Sequence, residues 1–315
     1  MSDNTKTKIV RDLPFEAYRR WPGINNSSLH ELDADRRDAG CPARYYWAHV
    51  LGNREDIASD ALSFGRAFHS YVLTPTVFEH EFVVEDEALY ADILAKAQRQ
   101  QEEQKRKPST KFSKSLTAWK EYKAEIKEEG KELVDAGAFE RIKAMDQMIR
   151  NPAKTLDPKV AAIFKRPKGD DLEAEVSILA QLDDGRGNLL DCKARLDAFD
   201  KTANTIYDLK SIAEWDPGGA IWKWGWWIQA AFYADIAMAS GLADEGCKFG
   251  WIFSRKAPPY EAALHMAEAD LLKAGRIAYR QHLQTIHDCR ESGHWPGHAP
   301  VTYPYGLNQI LDAQA

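Results

Sequence analysis

The sequence predicts an α/β fold: a helix, a three-stranded antiparallel meander, a second helix and a further strand, with added helices around this core. Three observations carry the prediction. Ala174 to Gln181, Leu189 to Phe199 and Thr205 to Lys210 read as strands, the first two joined by the loop Asp183-Asp184-Gly185-Arg186-Gly187-Asn188. Helical patterning precedes them at Ala61 to Leu73 and follows them at Ala220 to Ser240, and an apolar strand comes next, Cys247 to Ser254. The 315 residues are 44% hydrophobic and 29% charged, which suits a large buried core under a polar surface. One domain is expected over 1–315, with a helical insertion or arm at 86–150 and a C-terminal extension at 295–315.

In chain order, residues 1–20 are polar up to the segment Leu13 to Tyr18. The turn at Trp21-Pro22-Gly23 leads into a helix start, where Asn26 or Ser27 can serve as N-cap and Leu29 and Leu32 begin an apolar face. A helix start of this kind can also hold a phosphate, although capping alone explains the same residues. Pro42 to Leu51 is a short aromatic-rich helix suited to core packing. Ala61 to Leu73 is amphipathic, with Leu62, Gly65, Phe68 or His69, and Val72 along one side and Gly65 allowing close packing. His69 among apolar neighbours is open to two readings, a satisfied core residue or a ligand.

Ala91 to Lys107 and Ser113 to Glu128 form charged, helix-prone stretches broken by Pro108 and Gly130. Lys105, Arg106, Lys107, Lys111 and Lys114 cluster there, reading either as an exposed hairpin or as an arm on a DNA backbone. Ala138 to Arg150 is a further amphipathic helix. The Ala220 to Ser240 helix carries Trp222, Trp224, Trp226 and Trp227, and places Gln229 and Tyr233, at i and i+4, on one face. Ala267 to Arg290 is a long helix, and the Pro- and Gly-rich segment from Trp295 to Tyr305 reads as an ordered extension.

The four cysteines are scattered without a Cys-x-x-Cys pair, which argues against a zinc site and fits reduced thiols. The polar N-terminus and the lack of a membrane-length apolar run set the expectation of a cytoplasmic protein with no membrane partner. A net charge of −6 weighs mildly against nucleic-acid binding, yet a basic groove can sit within an acidic outer surface.

The chemistry concentrates between Cys192 and Lys210. Asp208 and Lys210 are two apart on one strand and share a face, with Leu209 turned the other way. If the preceding strand pairs across Ala198 to Asn204, Asp197 approaches the same spot. Two carboxylates beside an ammonium can hold a hard divalent cation and polarise a water. The spacing Asp-x10-Asp-x-Lys resembles the PD-(D/E)xK nuclease signature, with Leu196 where the naming motif has Pro. Gln229-x-x-x-Tyr233 resembles the accessory motif of the RecB-like branch. Together with Gly23-Ile-Asn-Asn-Ser-Ser-Leu29, Phe64-Gly-Arg-Ala-Phe-His69 and Cys192-Lys-Ala-Arg-Leu-Asp197, the ordered set resembles the RecE-like (exonuclease VIII) nuclease domain from about residue 21 to the Trp295-Pro296 tail, the 86–150 segment matching poorly.

That resemblance implies His69, Asp197, Asp208 and the Leu209 carbonyl as ligands of a Mg²⁺ site, with Mn²⁺ also effective because of the imidazole. It implies that Glu175 assists a second metal through water, and that Lys210 orients or deprotonates the attacking water. Gln229 and Tyr233 would position the site or the DNA backbone, and Ser27 would meet a 5′-phosphate. Arg195 is either a phosphate contact or the partner of a core acid. The implied activity is 5′-to-3′ degradation of linear double-stranded DNA, leaving 3′ single-stranded overhangs for recombination, as in phage or prophage systems. A ring-shaped homotetramer and a RecT-like single-strand annealing protein are the implied assembly and partner. A Cas4-like iron–sulfur protein is disfavoured, because Cys247 and Cys289 are too few and too far apart for a late cysteine trio. An endonuclease of the same fold and an inactive DNA-binding or assembly protein are the alternatives.

Overall fold

The computed structural model describes residues 7–33, 40–53, 60–151, 157–164 and 171–298. Among them the main sheet has six strands: β1 (Lys8–Val10), β4 (Leu172–Asp183), β5 (Leu189–Asp200), β6 (Thr205–Ile212), β7 (Lys248–Arg255) and β8 (Ala262–Met266), in that spatial order. The short strands β2 (Phe82–Glu85) and β3 (Glu132–Asp135) pair parallel in a separate ribbon. Within the main sheet β6 and β7 are parallel and every other neighbouring pair is antiparallel. The parallel pair requires a crossover, supplied by the helices Pro217–Lys223 and Trp226–Ala239. The expected meander of β4, β5 and β6 is present, followed by helix and strand.

Helices cover both faces of the sheet. On one side the Trp226–Ala239 and Ala269–Ser292 helices bury Phe232, Ile236, Tyr279 and Leu283 against Ile178, Cys192, Phe249 and Trp251. On the other, the Asp60–Leu73, Ala136–Arg150 and Pro158–Phe164 helices bury Phe68, Val72, Ile142, Met145 and Val160 against Tyr207, Leu209 and Ile252. A third, smaller cluster of Ile93, Ala97, Ala118 and Trp119 joins the Glu87–Glu103 and Thr117–Glu128 helices. There Tyr90 stacks on Phe112 at 4.1 Å.

Strand alternation reverses at one level of the sheet. Leu172 and Ala174 face the second core, but Val176, Ile178, Ala180 and Leu182 face the first, although all six positions are even-numbered. Glu175, between the two sets, has φ +54°, outside the strand region. The same reversal occurs across the ladder, where Leu196 faces the first core and Ala198 the second. The chain rolls over where Glu175 stands opposite Asp197.

Several local expectations are corrected. Asn25, not Asn26 or Ser27, caps the Asn26–Leu29 helix: its carboxamide accepts from the Ser28 N–H and the Ser28 hydroxyl answers at the Asn25 N–H. The aromatic helix is α-helical only over Pro42–Tyr45, and widens to a π-turn over Tyr46–Val50 where Tyr45 and Tyr46 pack on Trp295. Gly65 faces open space rather than a neighbour, and Leu62 is exposed. The predicted Ala220 to Ser240 helix is two helices, because Gly225 adopts φ +66° between them and a Cβ there would meet the His30 ring at 2.8 Å. The terminal extension is described only to His298, so its remainder lies outside the described residues.

Candidate active site

The site forms where β5 and β6 part. Their pairing ends at Ala198↔Tyr207, whereas β6 continues against β7 as far as Ile212↔Arg255. Asp197 fills the opening: its Oδ2 accepts the Leu209 backbone N–H at 2.8 Å. A strand residue directs its N–H and C=O to the same edge, so the Leu209 carbonyl leaves β6 on the side of Asp197. From the covering helix Asp60–Leu73, His69 Nδ1 reaches Asp197 Oδ2 at 3.3 Å. His69, Glu175 and Asp197 each offer a ligand atom within 4.8 Å of the others.

Asp208 lies on the opposite wall of the fork, its side chain only 2% exposed. Gln229 Nε2 donates to its Oδ1 at 3.1 Å. Lys210 Nζ lies 2.7 Å from Oδ2, an ion contact without hydrogen-bond alignment. The same ammonium sits 5.0 Å from the Trp226 ring. The face shared by Asp208 and Lys210 is thus the one their spacing predicts, and Gln229 reaches it from the crossover helix. Tyr233, one turn further on, hydrogen-bonds Gln229, packs on Phe249 and is pushed well above its ordinary pKa by burial. It supports Gln229 from within the core.

Electrostatics divide the acids. Burial pushes Asp208 up to about 6, opposed by the Lys210 charge and reinforced by Asp197. Glu175 is likewise raised by burial against the pull of Arg195. Burial also works against ionised Asp197, but the charge and hydrogen bond of His69 outweigh it and hold its pKa low. For His69 burial pulls downward, while Asp197 wins and raises it. Two crowded carboxylates, Glu175 with its pKa raised and Asp197 with its pKa held low, and the His69 imidazole form a donor set suited to a divalent cation. Mg²⁺ or Mn²⁺ fits it, with the oxygen donors suiting either and the imidazole favouring Mn²⁺.

The remaining expected residues are placed as follows. Arg195 pairs through Nε with Glu175 and lies over Phe15, so of its two readings the structure has the ion pair. Ser27 is exposed in the first turn of the Asn26–Leu29 helix, donating to Asn25 Oδ1 at 2.9 Å. Lys193, in the same motif as Arg195, is buried: its ammonium meets the carbonyls of Tyr18, Arg19 and Trp21 at 3.3, 3.0 and 2.6 Å and closes the C-terminal end of the Phe15–Arg20 helix. Trp226, which supports Lys210, has no site role in the sequence reading. Its signal lay in the tryptophan-rich run directly ahead of Gln229.

This α/β sheet, with an Asp and an Asp-x-Lys pair converging where two strands diverge, is the PD-(D/E)xK nuclease fold. Residues 26–301 match a PDDEXK-like domain of unknown function (DUF3799), and the chain belongs to that family. No curated protein matches the chain. Among solved structures, a "Putative exonuclease" from Eubacterium rectale is 16% identical, with 96% of this chain and 98% of that one covered at a TM-score of 0.52. The similarity is one of fold. A second structure, SSO0001, is 14% identical over 70% of this chain and 85% of that one, at a TM-score of 0.26.

Proposed function

We propose that the protein is a metal-dependent exodeoxyribonuclease that hydrolyses phosphodiester bonds of linear double-stranded DNA from the 5′ end. The observation that carries this reading is the fork itself: His69, Glu175 and Asp197 on one side, Asp208 held by Gln229 and Lys210 on the other. Phosphodiester hydrolysis needs an aligned water, charge neutralisation at the scissile phosphate and stabilisation of the leaving oxygen. His69, Asp197, Asp208 and the Leu209 carbonyl would hold a divalent cation, which would supply charge neutralisation and a polarised water. Lys210, braced by Trp226, aligns the water and meets the charge growing on the phosphate oxygens. Gln229 fixes the Asp208 carboxylate. Arg195 pairs with Glu175 and opposes the burial that raises the Glu175 pKa beside Asp197.

The polarity, the 3′ overhang, the ring of four subunits and the RecT-like partner belong to the proposal through the RecE-like motifs. Ser27 is proposed as a contact of the 5′-phosphate. Calorimetric titration with Mn²⁺, run beside cleavage of a linear duplex, tests the core of the reading. Wild-type protein is expected to bind Mn²⁺ and cut DNA, and Asp197→Asn is expected to lose both while staying folded. A folded wild type that neither binds the ion nor cuts DNA overturns it.

A further inference from the structure

The crossover between β6 and the Gln229 helix exposes three indole rings beside the candidate site. Trp215, Trp222 and Trp224 are 38%, 58% and 45% exposed. Tryptophan is normally well buried, so three exposed rings within ten residues call for a partner. The segment starts five residues after Lys210 and returns to it: Trp222 packs on Trp227 at 5.1 Å, while the adjacent Trp226 lies under Lys210. Gly225, in its left-handed conformation, turns the chain between the two pairs.

We propose that Trp215, Trp222 and Trp224 form a stacking platform for unpaired nucleobases of the strand that runs into or out of the fork. The inference rests on the nuclease reading for its location, since the crossover leaves β6 after Lys210 and returns beside it at Trp226. The composition selects the occupant. Ile221 is buried, and no aliphatic side chain is exposed with the indoles between Trp215 and Trp224. Lys223 Nζ lies 5.0 Å from the Trp224 ring and has no carboxylate partner among the described residues. Of the nearby acids, Asp216 is engaged at the Gly219 N–H as the cap of the Pro217–Lys223 helix, and Glu214 is exposed at the edge. Flat π faces with an unpaired ammonium match a base and its phosphate.

The test measures binding in EDTA, where no cleavage occurs, using single-stranded oligothymidine and an abasic oligonucleotide of the same length and charge. Wild-type protein is expected to bind oligothymidine at least tenfold more tightly. Trp222→Ala/Trp224→Ala is expected to lose about 10- to 100-fold in that affinity, with abasic binding unchanged and Trp222→Phe/Trp224→Phe retaining most of it. Equal affinity for both oligonucleotides overturns the proposal, as does a double alanine variant that binds oligothymidine like the wild type. A change of oligomeric state in that variant, seen by sedimentation, also overturns it by assigning the rings to a second copy. Wild-type cleavage of a linear duplex in Mg²⁺ is scored separately, so the platform can fail while the nuclease reading stands.

Discussion

Asp208 carries a charge that burial opposes. Burial raises its pKa to about 6, so between about pH 4 and 6 the folded protein keeps a proton that the unfolded chain releases. Its contribution therefore favours folding at low pH and is lost as pH rises through about 6. Asp208→Asn removes the penalty. In EDTA the variant is expected to gain thermal stability over wild type, with the gain larger at pH 8 than at pH 5. Thermal melts at the two values check this; a pH-independent difference contradicts it. The same variant is expected to lose metal-dependent cleavage. Lys210→Met is expected to lower turnover by about 100-fold or more while Mn²⁺ binding persists, because the ammonium acts on the developing charge. Single-turnover kinetics beside calorimetry separate the two effects. Asp208 and Lys210 were legible because strand periodicity puts them on one face, and Gln229 through its resemblance to the RecB-like accessory motif. Glu175 was legible only as an acid on a strand. Its φ of +54° and its pairing with Arg195 depend on how the sheet twists, which no local pattern of residues encodes.

At the scale of elements, the site depends on two strands that part and a crossover that returns. The Trp226–Ala239 helix, which carries Gln229, is fixed from behind by Gly275 of the Ala269–Ser292 helix. A Cβ at Gly275 would stand 2.4 Å from the Trp227 carbonyl and 2.8 Å from Ala231 Cβ. Gly275→Ala is expected to cost about 1–3 kcal/mol by overpacking, read as a lower urea midpoint, and to weaken cleavage by moving Gln229. Lys193→Met leaves three backbone carbonyls without their shared donor and is expected to cost about 1–3 kcal/mol. An unchanged midpoint in either variant contradicts the role assigned to it. The long elements were readable from sequence because their periodicity extends over many residues. The four-residue strands β2 and β3 and the edge strand β8 were not, since so few residues carry no period. The break at Gly225 was hidden inside an apolar, aromatic run that reads as helix throughout.

At the scale of the molecule, two cores clamp one sheet, and the fork opens at the level where its strands change face. His69 comes from the helical layer on one side and Gln229 from the layer on the other, so only the assembled three-layer structure completes the site. No helix among the described residues is long and apolar enough to cross a membrane. The overall charge of −6 coexists with Lys105, Arg106 and Lys107, all exposed at the end of the Glu87–Glu103 helix. In the sequence these residues, with Lys111 and Lys114, read either as an exposed hairpin or as an arm on a DNA backbone, and Lys114 pairs with Glu85.

The most direct measurement supplies purified protein and Mg²⁺ with a linear duplex labelled at its 5′ or 3′ ends, and with a covalently closed circle. Early release of the 5′ label with the circle left intact is the predicted result. A cut circle would contradict the exonuclease claim and make the same fork the centre of an endonuclease.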